Sequence, residues 1–359
     1  MKTSDGQPAA RLFPIDVLKA LSITAVVSFH SIFLFPSTYA PVAYQLEILF
    51  APLRFCVPVL LTISFFLLKR NLENSSQTVY QILKKRLVRL LIPTVFWFGI
   101  AVVINELLWY RTKEQIFIYI RQGTIFPGAY YLLVLFQLFP IFILLHPWFN
   151  HRRNLLLTFL FQAIAFLLIY TALVGSLSNL FPLVLRDIHR SLFIYWFVYT
   201  AIGAYLYKNW SAIVKLSQRI PISFKILLLF LLSLVMVNEC RSLYLLTGKQ
   251  IEPFEYVMFS CIISVLAFFL CFASVEESQI SVPVKKAIKL LSTYSLGIFC
   301  INGIIDITLI PIIDPILKEA NLNLPKMLAM KLLGWIILLA LSLWLSRRID
   351  KLGFGVLVR

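Results

Sequence analysis

Long apolar stretches recur through this 359-residue chain and leave few folds open to it. Ten candidates lie at about 16–35, 51–68, 90–108, 129–146, 154–174, 191–207, 224–240, 254–273, 294–313 and 330–346. Each approaches the roughly 20 residues that an α-helix needs to cross a bilayer. With 60% hydrophobic and only 14% charged residues, a soluble domain would have too little polar surface to meet water. A transmembrane β-barrel would instead alternate apolar and polar residues in segments of roughly ten. The expectation is an all-α, polytopic integral membrane helical bundle of about ten transmembrane helices.

The net charge of +17 would suit a nucleic-acid binder, but its distribution argues against one. With the N-terminus placed inside, 22 of the 33 basic residues fall on the cytoplasmic side and ten outside, leaving Arg54 within a span. That bias follows the positive-inside rule with both termini cytoplasmic. It predicts a multi-pass protein of the cell (inner or plasma) membrane, with anionic membrane lipid as a partner and no nucleic acid. The expected organisation is an N-terminal tail over 1–15, a transmembrane domain over 16–346 and a C-terminal tail over 347–359, with the first apolar run retained as a span. Five scattered cysteines without C-x-x-C spacing read as small apolar residues, so neither disulfide nor metal is expected. His146 and His151 read as interfacial residues beside Arg152 and Arg153.

The first span carries polar residues that a plain anchor would not. Lys19 and His30 are eleven residues apart, a net rotation of about 20°, so they share a helix face with roughly 16 Å of rise between them. Asp16 lies about 40° from His30 on that face. Ionisable groups at membrane depth face a bundle interior or a wet cavity. Imidazole, with an ordinary pKa near ~6.5, can take and return a proton at neutral pH.

Other polar residues follow. Arg54 opens the second span, where it either meets an anion from the outer side or snorkels to the interface. Pro58 should kink that span, and Ser64 lies further along it. In KKRLVRLLIP, Arg86 and Arg89 are i, i+3 and Lys85 and Arg89 are i, i+4, a basic face that is either a membrane anchor or a phosphate site. The third span contains Trp97 and ends near Glu106 and Trp109, which read as interfacial. Tyr130 and Tyr131 open the fourth span as an aromatic belt or as a platform for a sugar. Arg186, Asp187, His189 and Arg190 form either a solvated loop or an acceptor cluster. Asn302 and Asp306 are i, i+4 and either face the cavity holding His30 or hydrogen-bond between helices.

The first helix resembles the start of the membrane acyltransferase-3 family, which carries Arg, ten residues, then His. Here Lys19 replaces the Arg, and Asp16 stands at the family's acidic position. Three further segments are similar. Pro58 and Ser64 match the family's second span, with Phe65 where Gly is usual; Arg86 and Arg89 match its Arg-x-x-Arg; Tyr294, Ser295 and Leu296 match a late segment, with Asn302 near the family's His. The resemblance implies a membrane-bound O-acyltransferase that moves an acyl group, usually acetyl, from cytoplasmic acyl-CoA (acetyl-CoA) to a hydroxyl of a carbohydrate. The expected acceptor is a lipid-linked glycan or an exopolysaccharide of the cell envelope, with no bound cofactor. It implies His30 as general base, Lys19 stabilising charge with Asp16 positioning it, and Arg86, Arg89 and Lys85 on the donor's phosphates. Arg54, Ser64, Tyr130, Tyr131, Asn302 and Asp306 would line the acceptor side or cavity. The reading that competes is an exporter of lipid-linked saccharide without chemistry.

Overall fold

The computed structural model describes residues 11–173, 189–246, 256–318, 320 and 322–359. Among the described residues there is no strand. The helices are α1 Phe13–Phe29, α2 Ala40–Phe50, α3 Cys56–Asn74, α4 Val79–Leu107, α5 Lys113–Gln122, α6 Tyr130–Leu145, α7 Arg152–Leu173 and α8 Phe197–Lys208. They continue with α9 Trp210–Arg219, α10 Ile222–Leu246, α11 Phe259–Phe272, α12 Val282–Thr293, α13 Ser295–Leu317 and α14 Leu324–Ile349. Six helical runs are long and apolar enough to cross a membrane: 40–74, α4, 152–171, α10, α13 and 324–357; α6 and α11 are shorter and apolar.

α1 is the axis of the bundle. It packs against α3, α11, α12, α13 and α14, and Leu21 is its one exposed large apolar residue beyond its first turn. A helix apolar all round must be buried all round. Pro14 sits in its first turn, where the missing N–H is no loss, and Asp16 complements the dipole there. The expected run to Phe35 is too long: α1 stops at Phe29, and His30 is its C-cap at φ −109°. Ser28 Oγ donates to the Ala25 carbonyl and Ser31 Oγ to the Ser28 carbonyl, so side chains take over the terminal acceptors.

The segment between the first two candidate spans holds the helix α2. Pro41 lies in its first turn, where a fixed φ favours a helix start, and a 3₁₀ turn over 51–55 joins it to α3. α3 and α8 approach very closely: a Cβ on Gly203 would lie 2.7 Å from the Thr62 carbonyl oxygen and 2.8 Å from the Phe65 Cβ. The close contact that a glycine at position 65 would permit is thus supplied from the partner helix. Trp97, within α4, is buried, its Nε1 donating to the Leu357 carbonyl at 3.1 Å. That carbonyl belongs to the segment expected as a tail. Residues 350–357 turn back after α14, and Gly297 N–H donates to the Val358 carbonyl at 3.2 Å.

Candidate active site

Two cavities lie at opposite ends of α1. The first, of about 280 Å³, is lined by Lys19, Arg86, Arg89 and Arg359 together with Ser64 and Tyr131. It is called the basic cavity below. The second, of about 540 Å³, is lined by His30, Glu47, Asp306, Arg111, Arg190 and several aromatic rings. It is the imidazole cavity. Phe299 lines both, and its ring packs on Tyr131 with centroids 5.1 Å apart. The adjacent tyrosines divide between the two: Tyr131 faces the basic cavity, Tyr130 the imidazole cavity.

The basic cavity lies among α1, α3, α4, α6, α12 and α13. Arg86 and Arg89, one turn apart on α4, both reach it, as the i, i+3 spacing predicts. Lys85 does not; it is exposed, because one residue along the helix turns a side chain by about 100°. Asp16 does not chiefly hold Lys19. Its carboxylate pairs with Arg11 and accepts from Ser292 Oγ at 2.6 Å. Arg11 also donates to the Lys289 carbonyl and Thr293 Oγ1, so Asp16 and Arg11 together fasten α12 to α1. Ser292 and Thr293 then form part of the cavity wall. Ser64 Oγ donates to the Leu60 carbonyl at 3.0 Å and lies 3.3 Å from Tyr131 Oη.

In the imidazole cavity, His30 sits where α1 ends, and α14 fixes that end. Lys331 Nζ donates to the Ser28 carbonyl at 2.6 Å, and Trp335 Nε1 to the Thr24 carbonyl at 2.7 Å. Gly334, between them, lets the Ser31 backbone come so close that a Cβ would overlap it. Residues 331, 334 and 335 share one helix face, which makes a cradle for the last turn of α1. Asp306 is buried at the cavity wall, with Oδ1 making no hydrogen bond among the described residues. Asn302 lines neither cavity: its Nδ2 donates back to the Ile298 and Phe299 carbonyls, at 2.6 and 2.7 Å. Arg54 does not snorkel and lines neither of these two cavities; it is 1% exposed and pairs with Glu47 at 2.5 Å. It thereby holds a carboxylate that does line the imidazole cavity. Tyr130 stacks on Trp196, with the Arg190 guanidinium 4.6 Å from its ring centroid. Arg186, Asp187 and the His189 side chain lie outside the described residues.

Several residues of the site or its support carry no signal in the sequence. Glu47 and Lys331 look like ordinary loop or span-end charges, and Arg359 like a tail residue; only tertiary contact brings Glu47 and Arg359 to the cavities and Lys331 to the end of α1. Trp109 reads as an interfacial anchor, yet it lines the imidazole cavity and donates to the Ile307 carbonyl at 2.8 Å.

Comparison with curated proteins and with solved structures gave no match. A family model described as an acyltransferase domain matches residues 14–346, from the first turn of α1 almost to the end of α14. The match contains both cavities apart from Arg359, and the chain therefore belongs to the acyltransferase-3 family of membrane proteins.

Proposed function

We propose that this acyltransferase moves an acyl group, acetyl by preference, from acyl-CoA to a hydroxyl of a carbohydrate or other cell-surface acceptor. The observation that carries the reading is the pair of cavities on one central helix, basic at one end and holding an imidazole at the other, with Phe299 common to both. Residues that the charge bias assigns to the cytoplasm gather around the basic cavity. Those it assigns outside gather around the imidazole cavity. A coenzyme A donor brings phosphates, which guanidinium groups bind bidentately, so Arg86 and Arg89 hold the donor head. Its thioester arm then runs beside Lys19 toward Phe299.

The acceptor enters the imidazole cavity, with Tyr130 offering a ring face to a sugar. His30 takes the proton of the attacking hydroxyl as its oxygen bonds to the acyl carbon. The carbon–sulfur bond breaks, and the proton passes from His30 to the departing thiolate. Asp306 Oδ1 is free to accept from another acceptor hydroxyl. No metal takes part in this scheme. The test is turnover of purified protein with acetyl-CoA and envelope glycan, followed by mass spectrometry of the glycan. Acetyl transfer that His30→Ala abolishes at normal protein abundance is expected. Transfer that survives the substitution refutes the assignment.

A further inference from the structure

A third cavity, of about 440 Å³, lies away from the other two, among α9, α10 and α11. Its polar floor is Lys225, 9% exposed, in the first turn of α10. Lys225 Nζ donates to Ser217 Oγ and to Ser274 Oγ, each at 3.0 Å, and the two hydroxyls are 2.8 Å apart. Two of the three ammonium hydrogens are thus placed on neutral oxygens. Among the described residues no carboxylate lies within ion-pair distance of Lys225. Glu276 stands on the rim, but its carboxylate caps its own turn and accepts from Ser278. A buried cation held only by hydroxyls lacks a counter-charge, which is costly.

The surroundings name the kind of anion. The cavity wall continues into Ile222 and Ile226, both exposed, on α10. That helix is the least covered of the long apolar ones, with 11% of its most apolar stretch buried in the protein. A polar, cationic pocket therefore opens beside a lipid-facing apolar surface. Lys215 and Arg219 lie on the preceding helix α9, and the charge bias puts this end at the cytoplasmic leaflet, where anionic lipids concentrate. We propose that Lys225, Ser217 and Ser274 form a site for the phosphate of an anionic phospholipid, whose acyl chains lie along α10. The third ammonium hydrogen and the hydroxyl hydrogen not used between the serines are its donors.

The full chain is purified and its melting temperature read in phosphatidylcholine nanodiscs, with and without phosphatidylglycerol, and in detergent with inorganic phosphate. Phosphatidylglycerol should raise the melting temperature by several degrees, because a ligand of the native state stabilises it. Lys225→Met should lose that rise, while melting in phosphatidylcholine at or above the parent temperature. An equal rise in the parent and Lys225→Met overturns the site. So does a Lys225→Met protein that is less stable in phosphatidylcholine and still gains the full rise. Inorganic phosphate matching the lipid's effect would overturn the headgroup assignment in favour of the free ion. Should Lys225→Met not fold, Ser217→Ala with Ser274→Ala decides. A reduced rise supports the site, and an undiminished one overturns it.

Discussion

At the scale of single residues, the proposed chemistry rests on a few side chains whose neighbours serve as internal controls. His30→Ala should lower kcat roughly 10²–10⁴-fold, the usual worth of a positioned base, with melting temperature unchanged. His30 is half-buried at a helix cap, and an activity assay beside a thermal melt separates the two effects. On the donor side the contrast is sharper. Arg86→Ala should raise the KM for acyl-CoA on the order of ten- to a hundredfold, from about 1.5–3 kcal/mol for hydrogen bonds to a charged group. Lys85→Ala, one residue away but exposed and off the cavity, should leave that KM unchanged. An equal effect of both would reduce the basic face to a membrane anchor. That Arg86 and Arg89 reach one cavity was readable from spacing, because it depends only on helix periodicity. Whether Arg54 or Asn302 reaches the cavity was not, because a pairing with Glu47 and a turn onto the Ile298 carbonyl are settled by neighbours distant or local that periodicity does not encode.

At the scale of elements, α14 is the part of the site that periodicity conceals. Its Lys331, Gly334 and Trp335 look like a span-end charge, a small residue and an interfacial ring, yet they hold the last turn of α1. Gly334→Ala must push α1 and α14 apart at Ser31. The expected cost is about 1–3 kcal/mol in stability, as for other overpacked contacts. Because the shift moves His30, kcat should fall by up to about 10²-fold while the donor KM, set at the other end of α1, stays put. Steady-state kinetics separates those parameters; a raised donor KM would show that the two ends are not independent. Apolar length made most of the helices legible, whereas α2, with Pro41 in its first turn, lies between two of the candidate spans and carries no such signal. α12 supplies a test outside the bilayer. Lys289 donates to Glu277 at 2.5 Å, with Lys285 at 3.7 Å, and together they hold the Glu277 carboxyl below its usual range. A depressed carboxylate stabilises the fold above its unfolded value of about 4.3 and loses that contribution as pH falls through the lower folded value. Melting curves below pH 5 should therefore be flatter for Glu277→Gln than for the parent chain.

At the scale of the whole molecule, the question is how two cavities on opposite ends of α1 act on one bond. The bundle answers with a thin partition. Phe299, packed on Tyr131, lines both spaces, and Gly128 backs its ring so closely that a Cβ would lie 2.9 Å from Cζ. At φ +91° Gly128 also holds a backbone shape that favours glycine, so the ring's seat is fixed by the turn before α6. In the proposed mechanism, donor and acceptor meet only if the acyl group passes this ring, and the ring keeps water in one cavity from the thioester in the other. The two functions predict opposite outcomes for opposite substitutions. Phe299→Trp should narrow the passage, so that acetyl-CoA still stabilises the protein in a thermal melt but transfer to glycan falls by an order of magnitude or more, because the reacting atoms no longer reach attack distance. Phe299→Ala should widen it, raising acyl-CoA hydrolysis in the absence of acceptor as water gains access. Measured together, free-thiol release without acceptor and acetylated glycan with it distinguish the two. If both variants leave both readouts at parental values, the donor does not travel through this partition, and the link drawn between the basic cavity and His30 is severed.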